Sequence, residues 1–169
     1  MRAAGLNRAD LTTARGLPHG ADGGSGAPVG IEWAGEVVET GAEVGGYRPG
    51  DRVMCSGTGG YAEYAVSDWG RVAAIPAGMN FERAAVLPVA LATLHNALVT
   101  AGRMKKGEAV MVQGASSGVG IIGLQMAKLL GAGFVVGTST DDKRRARLKE
   151  FGANLAVNLV GGTAFAECM

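Results

Sequence analysis

Apolar positions recur along this chain with two different periods. From about Ile31 to Val72 they tend to alternate, as in Glu36-Val-Val-Glu39 and Tyr61-Ala-Glu-Tyr-Ala-Val66, and turn signals stand at Gly45-Gly46 and Pro49-Gly50. Alternation punctuated by glycine and proline predicts β-rich structure. Two helical segments are then expected, at about Phe81 to Leu87 and Leu91 to Ala101. The run Ala109-Val-Met-Val112 is short and apolar, as a buried parallel strand should be. From Val119 the apolar residues Val119, Ile122, Met126 and Leu129 follow at helical spacing. Phe134-Val-Val-Gly137 suits a second strand, a helix follows Asp141, and Leu155 to Leu159 fits a third strand. The order predicts an α/β protein whose β-rich part covers residues 1–100 and whose strand-helix part covers residues 101–169.

The junction of strand and helix carries the first chemistry. Gly114-Ala-Ser-Ser-Gly118-Val-Gly120 lies between the strand and the Val119 helix. A tight turn there leaves backbone N–H groups at a helix N-terminus, whose partial positive charge favours a pyrophosphate. Gly114, Ser116, Ser117, Gly118, Val119 and Gly120 are therefore candidate dinucleotide-binding residues, and Gly123 suits close packing of helix on strand. Gly114-x-x-x-Gly118-x-Gly120 also looks like the turn of short-chain dehydrogenases, which open their domain with it and follow it with Tyr-x-x-x-Lys. More than a hundred residues precede it here, and Tyr47, Tyr61 and Tyr64 all lie upstream.

The upstream motifs point elsewhere. Ala4-Gly-Leu-Asn7-Arg-Ala-Asp10, Gly30-Ile-Glu32-Trp-Ala-Gly35, Pro49-Gly-Asp51-Arg-Val, Gly60-Tyr61-Ala-Glu63-Tyr and Ala84-Ala-Val-Leu-Pro88 follow one another in this order. Together they resemble the medium-chain dehydrogenase/reductase superfamily, and within it the zinc-independent quinone oxidoreductase branch, over about Ala3 to Asn158. The resemblance implies a partial GroES-like catalytic domain followed by the first part of a Rossmann fold. In the alcohol dehydrogenase branch a Cys stands at the position of Asn7 and a His at that of Ile31, and both bind the catalytic zinc. Zinc needs three or four such ligands. This chain offers Cys55 and Cys168, with no C-x-x-C cluster, and the histidines His19 and His95, which suit a loop and a helix. No metal is expected.

Without a metal to polarise an alcohol, the expected chemistry is hydride delivery from a reduced nicotinamide to an already electrophilic quinone or enone. By resemblance, Asn7 and Thr93 match the polar residues beside nicotinamide and substrate, whereas Asp10 and Glu32 match signature positions with a structural part. The chain departs from the family at Thr12 and Pro18, where several quinone reductases carry tyrosines. The glycine-rich loop from His19 to Pro28 is longer, and Ser117 replaces the middle glycine of the phosphate turn. An enoyl-thioester reductase, or an inactive or cofactor-binding fragment, are the alternatives.

Cofactor choice is read at the end of the second nucleotide-fold strand. NAD enzymes place an acid there, about twenty residues past the turn, to bond the ribose 2′-hydroxyl. Ser139 occupies that position, Lys143, Arg144, Arg145 and Arg147 follow, and Arg144 aligns with the family lysine that contacts the 2′-phosphate. NADPH is the expected cofactor, with Ser139, Lys143 and Arg144 in its site. Asp141-Asp142 would supply the ribose-binding acid under a small shift of register, and otherwise suit the first turn of the next helix.

Composition narrows the class. The chain is 47% hydrophobic and 18% charged, with a net charge of +1; basic residues outnumber acidic ones only after about residue 99, and not in a cluster dense enough for nucleic acid. No apolar run approaches the length of a membrane span, and no charged start leads into an apolar core like a signal peptide. A soluble, cytoplasmic protein with reduced cysteines is expected, acting on a small molecule, with a homodimer in the full-length protein as the family implies. Both ends look cut: strands that close the family's catalytic barrel would precede Met1, and later nucleotide-fold strands would follow Met169.

Overall fold

A computed structural model describes residues 1–17 and 26–158. His19, Pro18, the loop as far as Ser25, Leu159 and the C-terminal stretch with Cys168 lie outside the described residues. The chain divides into two compact units, Met1–Val89 and Ala90–Met169.

The first unit holds β1 (Ala3–Ala4), α1 (Arg8–Ala14), β2 (Glu32–Glu36), β3 (Arg52–Ser56), β4 (Val72–Ala74) and α2 (Phe81–Ala84). The strands form one antiparallel sheet in the order β1-β2-β3-β4. Successive residues of a strand point to opposite faces, and both faces of β2 are covered. Ala34 joins Ile75, Ala84 and Ala85, while Trp33 joins Val53 and Cys55. Arg52 lies over the Phe81 ring, 4.5 Å from its centroid, and donates to the Met79 carbonyl at 2.7 Å. These contacts lock the start of α2 to β3.

The alternating run from Tyr61 to Val66 is not a strand. Its backbone bonds go to turns and neighbouring loops: Tyr61 N–H donates to the Val29 carbonyl and Ala62 N–H to that of Gly59. Alternation needs a partner strand in register to become a ladder, and among the described residues none is paired with it. Gly30 and Gly60 instead bring two loops into backbone contact. Gly30 has φ +96°, and a Cβ on it would lie 2.7 Å from the Gly60 Cα.

Helix α3 (Pro88–His95) begins with proline, whose fixed φ suits a first helical position. It continues into a π-helical turn, Asn96–Ala101, so this helical stretch begins before the expected Leu91 and ends at the expected Ala101, whereas α2 stops at Ala84, short of the expected Leu87. The helical stretch Phe81–Ala101 has 21 residues and a mean hydropathy of 1.6, long and apolar enough by composition to cross a membrane. This corrects the expectation that no apolar run approaches that length; Glu82 and Arg83 interrupt the run near its start. Its first helix is packed against the sheet through Ala84.

The second unit carries a parallel sheet of β5 (Ala109–Val112), β6 (Phe134–Thr138) and β7 (Leu155–Val157), in that order. Helix α4 (Gly118–Leu129) connects β5 to β6, and α5 (Asp142–Ala146) leads toward β7. Leu124, Ala127, Val135 and Leu148 are fully buried between helix and sheet. Gly123 lets α4 sit close: a Cβ there would lie 3.0 Å from Leu94 and 3.4 Å from Val112. This is the strand-turn-helix order that the apolar pattern predicts.

Candidate functional site

In the first unit, the register of β1 on β2 pairs Ala4 with Trp33, so the chain leaving β1 returns over Glu32. Gly5 makes room there, since a Cβ would lie 2.4 Å from Glu32 Oε1. Asn7 Nδ2 donates to that Oε1 at 2.9 Å. The other oxygen, Oε2, accepts the backbone N–H of Val89 in the first turn of α3 at 2.9 Å. Glu32 is only 4% exposed, and its charge rests on these donors and on the positive end of the helix.

A second buried carboxylate lies on the other side of Asn7. The Asn7 backbone N–H donates to Asp10 Oδ2 at 2.7 Å, which ties off the start of α1. The Tyr61 hydroxyl donates to the same oxygen at 2.7 Å and lies 3.3 Å from the Gly5 carbonyl. Asp10 Oδ1 is buried without a partner among the described residues. Desolvation, then the hydrogen bond to Asp10 and the charges of Asp10 and Glu32, push the Tyr61 phenol up to about 12. Tyr61 and Glu32 thus hold Asn7 in place, and no local pattern announces it: their partners are 51 and 25 residues away in sequence. Thr93 lies in α3 on its exposed side, between the buried Ala90 and Leu94.

A cavity of about 310 Å³ opens elsewhere in this unit, lined by Trp33, Tyr47, Val53, Trp69 and Val72 among others. Neither Asn7, Asp10 nor Glu32 lines it.

In the second unit the glycine turn is closed by its own backbone. Gly114 has φ +61°, its N–H donates to Thr138 Oγ1 at 3.1 Å, and Ala115 N–H donates to the Thr138 carbonyl at 2.8 Å. Ser117 is the N-cap of α4, its hydroxyl accepting the Gly120 N–H at 3.0 Å. A Cβ on Gly120 would lie 2.5 Å from the Gly114 carbonyl oxygen, whereas one on Gly118 would meet nothing within 4 Å. The N–H groups of Gly118 and Val119 fall in the first turn of a twelve-residue helix, where no helical acceptor reaches them. Open space at Gly118, first-turn donors that the helix itself leaves without acceptors, and the helix dipole together fit a pyrophosphate.

Ser139, 6% exposed, lies at the end of β6 with its hydroxyl 2.8 Å from that of Ser116. Arg145 donates to the Ser139 carbonyl at 3.0 Å and to Asp142 at 2.6 Å, bracing the strand end. Asp141 caps α5 by accepting the Arg144 N–H at 2.9 Å. The Arg144 guanidinium lies 3.7 Å from the same carboxylate and is 69% exposed. Lys143 is exposed beside it. The turn residues, Ser116 and Ser139 are therefore brought together, with Lys143 and Arg144 on the adjoining helix; the brace by Arg145 is an addition that residue spacing does not reveal.

The donor set around Asn7 does not fit a zinc ion. Asn7 turns a neutral amide nitrogen to Glu32, and Ile31 has no donor atom. Among the described residues no group of three His, Cys, Asp or Glu could hold a metal. Cys55 is buried, its thiol pushed up by desolvation against a lowering hydrogen bond from Ser67.

Two family profiles match the chain: the alcohol dehydrogenase GroES-like domain over residues 1–77 and the zinc-binding dehydrogenase domain over residues 118–167. Among solved structures, a probable oxidoreductase from Mycobacterium abscessus superposes with a TM-score of 0.81 at 30% identity, over 98% of this chain and 53% of its own. The Escherichia coli quinone oxidoreductase complexed with NADPH gives 0.76 at 28%, over 92% of this chain and 48% of its own. An enoyl reductase, CurK, gives 0.83 at 26%, over 98% and 52%. Among curated proteins, a reducing polyketide synthase of Hypomyces subiculosus is 34% identical over 90% of this chain, which is 6% of the synthase. The chain belongs to the medium-chain dehydrogenase/reductase superfamily. It spans about half the length of the solved relatives and a small fraction of the polyketide synthases.

Proposed function

We propose that this chain is the core of an NADPH-dependent, zinc-independent oxidoreductase that transfers hydride to a quinone or enone. The observation that carries the proposal is the Gly114–Gly120 turn, where the first N–H groups of α4 have no acceptor within the helix and a Cβ on Gly118 would meet nothing within 4 Å. When bound, the reduced nicotinamide supplies the hydride. Gly118 and Val119 bind the pyrophosphate through their N–H groups. Ser116 and Ser139 form the wall that receives the ribose, with no carboxylate there to repel a 2′-phosphate, and the exposed Arg144 and Lys143 supply the positive charge that favours one. Asn7 and Thr93 orient the nicotinamide and acceptor.

Zinc independence is supported by the neutral amide of Asn7 and the aliphatic Ile31 at the ligand positions. The NADPH complex of the Escherichia coli relative supports the cofactor. A second acceptor class, an α,β-unsaturated thioester, is favoured by the likeness to CurK enoyl reductase and to reducing polyketide synthases. Fluorescence titration with NADPH and NADH, followed by NADPH consumption with a naphthoquinone, an enone and a crotonyl thioester in parallel, tests the proposal. Saturable NADPH binding with turnover of one acceptor is the expected result. Absence of NADPH binding would overturn it.

A further inference from the structure

We infer that Arg145 is a specificity-determining positioning residue, which keeps the Asp142 carboxylate from turning the ribose site toward NADH. The inference rests on the proposed function, in which the wall formed by Ser116 and Ser139 receives the ribose. It deepens that reading by assigning part of the cofactor choice to a residue that acts through its neighbours.

The corner between β6 and α5 carries Asp141 and Asp142, followed by Lys143, Arg144 and Arg145. Acids near this strand end oppose a nucleotide with a 2′-phosphate, because a carboxylate there bonds a ribose hydroxyl and repels the phosphate. Each acid is held by an arginine. Asp141 accepts the Arg144 N–H and lies 3.7 Å from its guanidinium. Asp142, 82% exposed, accepts from Arg145 Nη2 at 2.6 Å. An ion pair between two free surface side chains is worth little, but this arginine is tethered. Its Nη1 donates to the carbonyl of the buried Ser139 at 3.0 Å, and its side chain is mostly covered. The planar guanidinium fork serves both acceptors at once, which a lysine ammonium does less rigidly. Asp142 is thereby pinned one guanidinium's width from the Ser139 carbonyl, within the screening length of about 8 Å at physiological salt. With both acids matched by arginines, Lys143 is left as the excess positive charge of the corner.

Three variants separate this masking from a brace and from a direct phosphate ligand. Arg145→Gln removes the charge and leaves the Asp142 carboxylate uncompensated. Asp142→Asn removes the acid and leaves Arg145 on the Ser139 carbonyl, with its charge unmasked. The double variant removes both charges and has the net charge of the parent.

The experiment uses the full chain and measures dissociation constants for NADPH and NADH, and for adenosine 2′,5′-bisphosphate and adenosine 5′-monophosphate, at low and high salt, together with each thermal midpoint. For Arg145→Gln the expected result is a loss of about tenfold for the two 2′-phosphorylated nucleotides, which shrinks at high salt, with the other two within about twofold of the parent. Asp142→Asn should tighten NADPH by about threefold and leave NADH as it was. The double variant should return the NADPH-to-NADH ratio to that of the parent. Equal losses of NADPH and NADH in Arg145→Gln would mark a brace alone, and an NADPH loss that the double variant does not recover would mark a direct phosphate ligand. Either result, or an Asp142→Asn chain no tighter for NADPH than the parent, would overturn the inference. If Arg145→Gln does not fold, Asp142→Asn decides the matter by itself. In all these cases NADPH binding by the parent leaves the proposed function standing, whereas a parent that does not bind NADPH overturns both.

Discussion

The hydroxyl groups of Ser116 and Ser139 lie 2.8 Å apart, joining the phosphate turn after β5 to the end of the neighbouring strand β6. The pair is short, neutral and buried on the Ser139 side. It stands where a dinucleotide-binding fold selects its cofactor.

Ser139→Asp should therefore shift the preference from NADPH toward NADH, because a carboxylate bonds a ribose hydroxyl and repels a 2′-phosphate. Arg144→Glu should weaken NADPH by about tenfold, equivalent to about 1.4 kcal/mol, and leave NADH nearly unchanged. Parallel fluorescence titrations of both nucleotides check the pair. Equal losses for the two would contradict the assignment.

Gly118 and Gly120 should respond differently to alanine. Gly120→Ala puts a methyl 2.5 Å from the Gly114 carbonyl oxygen, which is backbone and cannot swing away. Stability and NADPH binding should both fall. Gly118→Ala meets nothing within 4 Å, so the thermal midpoint should hold while NADPH affinity drops by about tenfold or more, about 1.4 kcal/mol or more. Melting curves with and without NADPH separate the two cases.

Tyr61 gives a prediction with a sign. Its folded phenol titrates near 12 against an ordinary value of 10.0. The unfolded chain loses its proton first, so the stabilisation is fully present below pH 10 and is lost as pH rises through about 12. Tyr61→Phe should remove the late-ionising phenol from an alkaline absorbance titration and flatten the decline of urea midpoints over that range. Loss of a phenol that ionises near the ordinary value of 10.0 instead would show that the hydroxyl is not held on Asp10.

Cys55 is fully buried and its thiol is disfavoured as a thiolate by desolvation. In a Cys168→Ser background, modification by an aromatic disulfide reagent should be slow and should accelerate with urea in step with unfolding. Rapid labelling of the native protein would be inconsistent with this packing.

The apolar pattern alone makes β5, α4 and β6 legible, because helical periodicity starts where the glycines end. Ser117 as a cap and the turn residues follow from the same local signal. What it does not reveal depends on register. Asn7 meets Glu32 only because Ala4 pairs with Trp33, and Tyr61 reaches Asp10 only because its loop folds over Gly30. The run Tyr61 to Val66 shows the opposite failure: alternation was present, but the ladder partner was not. Asp141 and Asp142 were legible as residues of a helix start, while the role of Arg145 in bracing Ser139 depends on a side chain bending back across a turn.

Gly30 and Gly60 carry a consequence for how this sequence can change. A Cβ on Gly30 would strike Gly60 Cα and Tyr61 N at 2.7 Å, one on Gly60 would crowd the Glu32 carbonyl oxygen at 3.0 Å, and the atoms concerned are backbone, common to every amino acid. No second substitution can make room for the first. In a library that varies every position, position 30 should stay glycine without ever showing a compensating partner, so a statistical search for co-varying residues would pass over this contact between two loops.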